Sequence, residues 1–162
     1  MKVLLAIDGS PHSQAALEAV ASRHWPDSTE VRVLTVVHSK WPLVGDPLFT
    51  VASAHVESIL GQRHEAPELL NAAVARLRSE QPDLRVTTKT LDGVPHDVIV
   101  AEAERWRADL IVLGSHGYGP VRRAMLGSVA AAVAVEAPCA VETIRMGQPH
   151  VRTTAAVAPR VA

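Results

Sequence analysis

Gly114, Gly117, Gly127 and Ser128 are the residues whose types and spacing could do chemistry, in the pattern G-x2-G-x9-G-S. Glycine at such positions permits positive φ and lets the backbone approach a bound group that a Cβ would exclude. Ser128 stands before residues 129–135, a run of alanine and valine that reads as a helix. Its hydroxyl has two possible tasks: to cap that helix, or to join the free N–H groups and the positive end of the helix dipole in holding an anion such as phosphate. The residues alone leave both readings open, a phosphate cradle or a plain turn with a capping serine. Two familiar phosphate loops are excluded: no lysine follows a glycine as G-x-x-x-x-G-K-[ST] requires, and the first glycine pair is too widely spaced for G-x-G-x-x-G.

The elements that must position these residues follow from periodicity. Leu110-Ile111-Val112-Leu113 is an apolar run suited to a strand buried on both faces, and it ends at Gly114. Residues 2–8 form a first strand ending at Asp8, and Gly9-Ser10-Pro11 turns it into a helix over about residues 13–23. A carboxylate at such a turn either bonds the turn itself or meets a ligand. A valine-rich strand spans residues 30–38, and residues 39–51 form a long loop, mobile or lid-like. Residues 52–80 read as helix, with a break or kink at Gly61 and Pro67. A strand over residues 84–91, a helix over 96–106 and a last strand over 139–145 complete the alternation, and residues 146–162 read as a disordered tail. Right-handed crossovers then give an α/β fold: a single doubly wound domain over residues 1–145, with a five-stranded parallel sheet in the order 3-2-1-4-5 and helices on both faces. Its switch point falls between the first and fourth strands, which brings Asp8 and Gly114 to one crevice.

The signature resembles that of the universal stress protein family. Gly114-Ser115-His116-Gly117, then Gly127-Ser128-Val129, Ala137-Pro138-Cys139 before the last strand, Ile7-Asp8-Gly9-Ser10 after the first and Gly93-Val94-Pro95 before the third helix all carry the likeness. The resemblance implies binding of ATP, alone or with Mg2+, by a module of the stress response. It implies that Asp8 lies near the sugar or a bound metal and that Val36 reads the adenine edge through its backbone. It places the phosphates on Ser115, Gly117, Gly119 and their neighbours from Gly114 onward, and on Gly127, Ser128 and Val129, with His116 shaping the loop. Arg122 and Arg123 fall between the two glycine sites; a guanidinium there, Arg123 in particular, suits terminal phosphates, and a solvated basic pair is the plainer alternative. The resemblance further implies a homodimer joined by antiparallel pairing of the last strand; strand alternation puts Glu142 on the face opposite Val141 and Thr143, where it reaches solvent or an arginine such as Arg145 of a second copy.

Composition bounds the remaining classes. The 162 residues carry a formal net charge of −1 and no basic run, which argues against a nucleic-acid or membrane-surface binder. A single cysteine, Cys139, excludes an intrachain disulfide and suits a reducing compartment, and Asp8 interrupts the first apolar run too early for a signal peptide; the expectation is a cytoplasmic protein. Cys139 reads as a small core residue. The 8 histidines are scattered, and no metal-ligand set is expected from their spacing. An alternative function, a nucleotide-hydrolysing or adenylating enzyme of a related α/β fold, is disfavoured because Asp8-Gly9-Ser10-Pro11-His12-Ser13 stands where a pyrophosphate loop such as S-G-G-x-D-S would be needed. No catalytic base is evident, so hydrolysis is expected to be slow or absent, and the protein partner that reads the bound state is unknown.

Overall fold

Strand alternation sorts the apolar residues into two cores, one on each face of a single sheet. The computed structural model describes residues 1–38, 49–117 and 126–146. Its elements in chain order are β1 (Lys2–Ala6), α1 (Pro11–Ala21), β2 (Glu30–His38), α2 (Phe49–Glu80), β3 (Arg85–Gly93), α3 (Pro95–Trp106), β4 (Leu110–Gly114), α4 (Ser128–Glu136) and β5 (Ala140–Ile144). All strand pairs are parallel, in the order β3-β2-β1-β4-β5. This is the doubly wound sheet expected from the sequence.

Val3 and Leu5 of β1 face α1 and α2, together with Val31, Val33, Val112 and Ile144. Leu4 and Ala6 face the other way, with Leu34, Ile111 and Leu113, and are covered by Ile99 and Ala103 of α3 and by Ala130 and Val133 of α4. Residues 3–5 and 111–113 are therefore apolar without interruption because both of their faces are covered.

Two local expectations need correction. Helix α2 runs through Gly61 and Pro67 as one helix of 32 residues. The side chain of Pro67 is exposed, while Ala66, Leu70, Ala73 and Leu77 continue one buried stripe past it. Leu70, Ala73 and Leu77 after the proline pack on the sheet face of Val31 and Val33, and the helix continues despite the lost backbone donor. Glu142 does not reach solvent: it is 9 % exposed, and its two oxygens accept from Arg23 at 2.8 and 2.6 Å. The Arg23 guanidinium in turn lies 4.9 Å from the centre of the Trp25 ring. Alternation also turns Ile144 inward, to 6 % exposure, and leaves Val141 and Thr143 half-buried on the opposite face. The part of the 39–51 loop before Phe49 and the tail beyond Met146 lie outside the described residues.

At the other side of the sheet Glu102 is 2 % exposed and accepts from Arg32 of β2 at 2.7 Å, from Lys89 of β3 at 2.9 Å and from Arg105 at 2.6 and 2.9 Å. Burial by itself would raise its pKa, but the bonds from Arg105, Lys89 and Arg32 outweigh burial and hold it at about 2, against 4.5 for an ordinary carboxyl. Because the folded value is the lower one, the stabilisation is complete above pH 4.5 and is lost as the pH falls toward 2. Urea unfolding across that window should show stability declining with acid, and Glu102→Gln should lower stability at neutral pH and flatten the profile; identical profiles would show that the network does not act this way.

Candidate functional site

A cleft of about 690 Å³ opens where β1 and β4 part. Its floor is made by Ala6 and Leu113 at the carboxyl ends of β1 and β4 with Leu34 from the middle of β2, and its walls by the first turns of α3 and α4. After β1 the chain crosses to α1 on one face of the sheet, and after β4 it proceeds to α4 on the other. A crevice at such a divergence follows from the topology.

On the β1 side, Gly9 has φ 83°, which lets the chain double back so that the Ser10 N–H donates to Asp8 Oδ1 at 2.9 Å. The Ser10 side chain caps α1, accepting from the Ser13 N–H at 3.3 Å. Asp8 Oδ2 is turned to Gly117, where a Cβ would lie 2.7 Å from it. Gly114 is held still more tightly, since a Cβ there would stand 2.7 Å from the backbone carbon of His12 and 2.8 Å from the Ser13 nitrogen. Gly114 is thus required by backbone contact, while a side chain at 117 would displace the Asp8 carboxylate and one at 127 would crowd the backbone of Ser115 and His116. Positive φ falls instead on Gly9 and on Gly93, at 145°, which turns β3 into α3.

Ser115 lies beneath the cleft. It is fully buried; its N–H donates to the Ile144 carbonyl at 2.8 Å, its carbonyl accepts from the Gly127 N–H at 2.7 Å, and its hydroxyl stands 3.2 Å from His116 Nδ1. These bonds correct its place in the expected site: Ser115 buttresses the loop and does not line it. His116 lines the cleft, with its ring centre 5.2 Å from that of His12. The capping role also moves by one residue, because Gly127 is the cap of α4 and Ser128 is its first helical residue, exposed at the cleft. Among the described residues no side chain caps α4 or α3, whereas α1 is capped. The N–H groups of the first turn of α4, at Ser128, Val129 and Ala130, have no intrahelical acceptor and border the cleft.

Val36 lines the opposite side. Leu34 accepts from the Ile7 N–H at 2.9 Å across the β1 edge of β2. Alternation directs the N–H and C=O of Val36 to that same edge, beyond the last residue of β1. Asp8, Val36, Gly114, His116, Gly117, Gly127, Ser128 and Val129 therefore meet at one cleft, while Gly119 and Arg123 lie outside the described residues.

The wall formed by Val94, Pro95, His96 and Ile99 was not among the site residues expected from the sequence. Gly93-Val94-Pro95 marked a strand end followed by a helix start, and that was the signal that could have found it. Residue spacing also did not bring together His96, Asp97 and Glu136. His96 Nε2 lies 3.1 Å from Asp97 Oδ1, and an oxygen of Glu136 joins them with all three ligand atoms within 4.8 Å of one another. The Cys139 thiol is half-buried, and burial with the nearby Asp109 charge pushes its pKa up, in keeping with a packing role.

The universal stress protein family profile matches residues 1–145. The chain belongs to this family. A universal stress protein encoded in the 3' region of a QAH/OAS sulfhydrylase in Thermus aquaticus is 34 % identical over 146 residues, covering 88 % of this chain and 97 % of the relative. The universal stress protein UspA of Lactobacillus plantarum superposes with a TM-score of 0.73 at 27 % identity, covering 90 % of this chain and 97 % of that one. A universal stress protein family member from Arabidopsis thaliana, determined with AMP bound, superposes with a TM-score of 0.61 at 23 % identity, over 90 % of this chain and 91 % of that one. Among the described residues of this universal stress protein, no helix is long and apolar enough to cross a membrane.

Proposed function

We propose that this universal stress protein binds an adenine nucleotide in the cleft between β1 and β4, and that it acts by holding the nucleotide rather than by turning it over. The observation that carries the reading is the uncapped first turn of α4, whose N–H groups at Ser128, Val129 and Ala130 border a cleft of nucleotide size beside Gly117. Phosphates would sit there, with the ribose toward Asp8 and the adenine edge against the backbone of Val36. The Arabidopsis relative with AMP bound supports the class of ligand. ATP, accompanied by Mg2+ when its phosphates need neutralising, is the form that also engages Gly119 and Arg123. Tight holding of phosphates in the ground state does not speed their transfer, and the natural output is a change in the affinity of a cytoplasmic stress-response partner.

Calorimetry with ATP and with AMP should show one site per chain. Gly117→Val, which must push the Asp8 carboxylate, and Gly127→Val, whose Cβ would lie 3.1 Å from the Ser115 carbonyl, should each weaken binding by about tenfold or more, roughly 1.4 kcal/mol. Gly114→Val, directed at backbone atoms of α1, should lower the melting temperature instead. No heat with the wild type, or equal affinity in the first two variants, would overturn the reading.

We further propose that two copies pair through the outer edge of β5. Among the described residues the sheet ends at β5, and an unpaired edge is a template for another strand. Glu142 does not stand against this, because its charge is answered by Arg23 within the same chain. Light scattering at micromolar protein should give twice the chain mass, and Thr143→Pro should shift it toward one; a monomeric wild type would rule the pairing out.

A further inference from the structure

His96 and Asp97 open the first turn of α3, and Glu136 is the last residue of α4. Folding brings an imidazole nitrogen and two carboxylate oxygens from these two helices within 4.8 Å of one another. Two features set the group apart from an ordinary solvated patch. The first is electrostatic: two carboxylates converge, and among the described residues His96 is the only basic partner within 4.0 Å of either. Glu136 adds to this cost, since a carboxylate at the carboxyl end of a helix faces the negative pole of its dipole. Both carboxylates are exposed, so each side chain is free to turn toward a shared cation.

The second feature is geometric. Two ligand atoms bound side by side to a first-row ion at about 2.0–2.1 Å stand about 3 Å apart, and His96 Nε2 and Asp97 Oδ1 are 3.1 Å apart. The third atom, on Glu136, lies within 4.8 Å of both, and the Asp97 and Glu136 side chains are exposed and free to adjust.

We propose that His96, Asp97 and Glu136 bind a divalent first-row transition ion, with Zn2+ the best match. One imidazole with two carboxylates suits zinc and its neighbours in the row better than it suits Mg2+ or Ca2+, which take oxygen ligands alone. Three protein ligands leave at least one position for water or for an oxygen of a bound molecule. Because His96 also lines the cleft, that open position lies at its rim. The ion ties the first turn of α3 to the last residue of α4, the two helices that wall the cleft. It is separate from any Mg2+ that travels with nucleotide phosphates, and it does not depend on the nucleotide reading.

The test uses the full chain, stripped with a chelator and free of nucleotide. Titration with Zn2+ by calorimetry, and with Co2+ by visible absorption, should show one site per chain, with Co2+ bands of low-symmetry nitrogen and oxygen ligation. His96→Ala and Glu136→Gln should each weaken uptake by about tenfold or more, on the scale of changes that disturb a metal's ligand environment. His64→Ala, on the exposed face of α2, should leave it unchanged. Zn2+ should also raise the melting temperature of the wild type and not that of Glu136→Gln. Two results would overturn the proposal: no uptake by the wild type, or uptake by His96→Ala and Glu136→Gln that equals that of the wild type, which would mark adventitious binding to other histidines.

Discussion

The close contact of Gly114 with the start of α1 sets the geometry of everything above it. With no side chain at 114, the end of β4 rests on the backbone of His12 and Ser13, so β1 and β4 remain paired up to the point where they part. One residue later Ser115 fastens the departing loop, giving its N–H to β5 and its carbonyl to Gly127. The start of α4 is thereby fixed relative to Asp8, although their residue numbers lie far apart. An anion site made of backbone N–H groups is useful only if those groups are aimed before the ligand arrives. Here the aiming is done by a glycine contact and two backbone hydrogen bonds, none of which needs the ligand.

The two sides of the sheet are secured differently from its centre. Apolar packing suffices for β1 and β4, which are covered on both faces. Toward β3 and β5 the coverage thins, and buried carboxylates take over part of the task. Glu102 gathers cations from β2, β3 and α3, and Glu142 joins β5 to the turn after α1 through Arg23. Such pairs stabilise less than their number suggests, because each charge gives up hydration. Their directional demand is what apolar contacts lack, and it specifies which helix lies against which strand.

The order of the sheet and most of the cleft were legible because their signals are local. Apolar runs of strand length, Gly-Ser-Pro after β1 and the spacing from Gly114 to Ser128 can be read within a window of about twenty residues. Pairings that join distant segments were not legible. Arg23 and Glu142 are separated by 119 residues and carry no shared period, and nothing near His96 in sequence points to Glu136. The continuity of α2 through Pro67 was hidden for another reason: local propensity argues for a break, and only the sheet beneath the helix decides otherwise. The reason for the glycines was likewise tertiary, since the atoms that a Cβ at 114 or 117 would meet belong to α1 and to Asp8.

The central claim is that preset backbone groups at the parting of β1 and β4 receive an adenine nucleotide. Backbone amide NMR of the nitrogen-15-labelled protein titrated with AMP tests it most directly, since the amides are themselves the proposed ligands. The account predicts saturable shifts concentrated at Val36, Gly117, Ser128, Val129 and Ala130, with the exposed residues of β3 and the far end of α2 unmoved. Shifts that never saturate, or that cluster away from these amides, would contradict it.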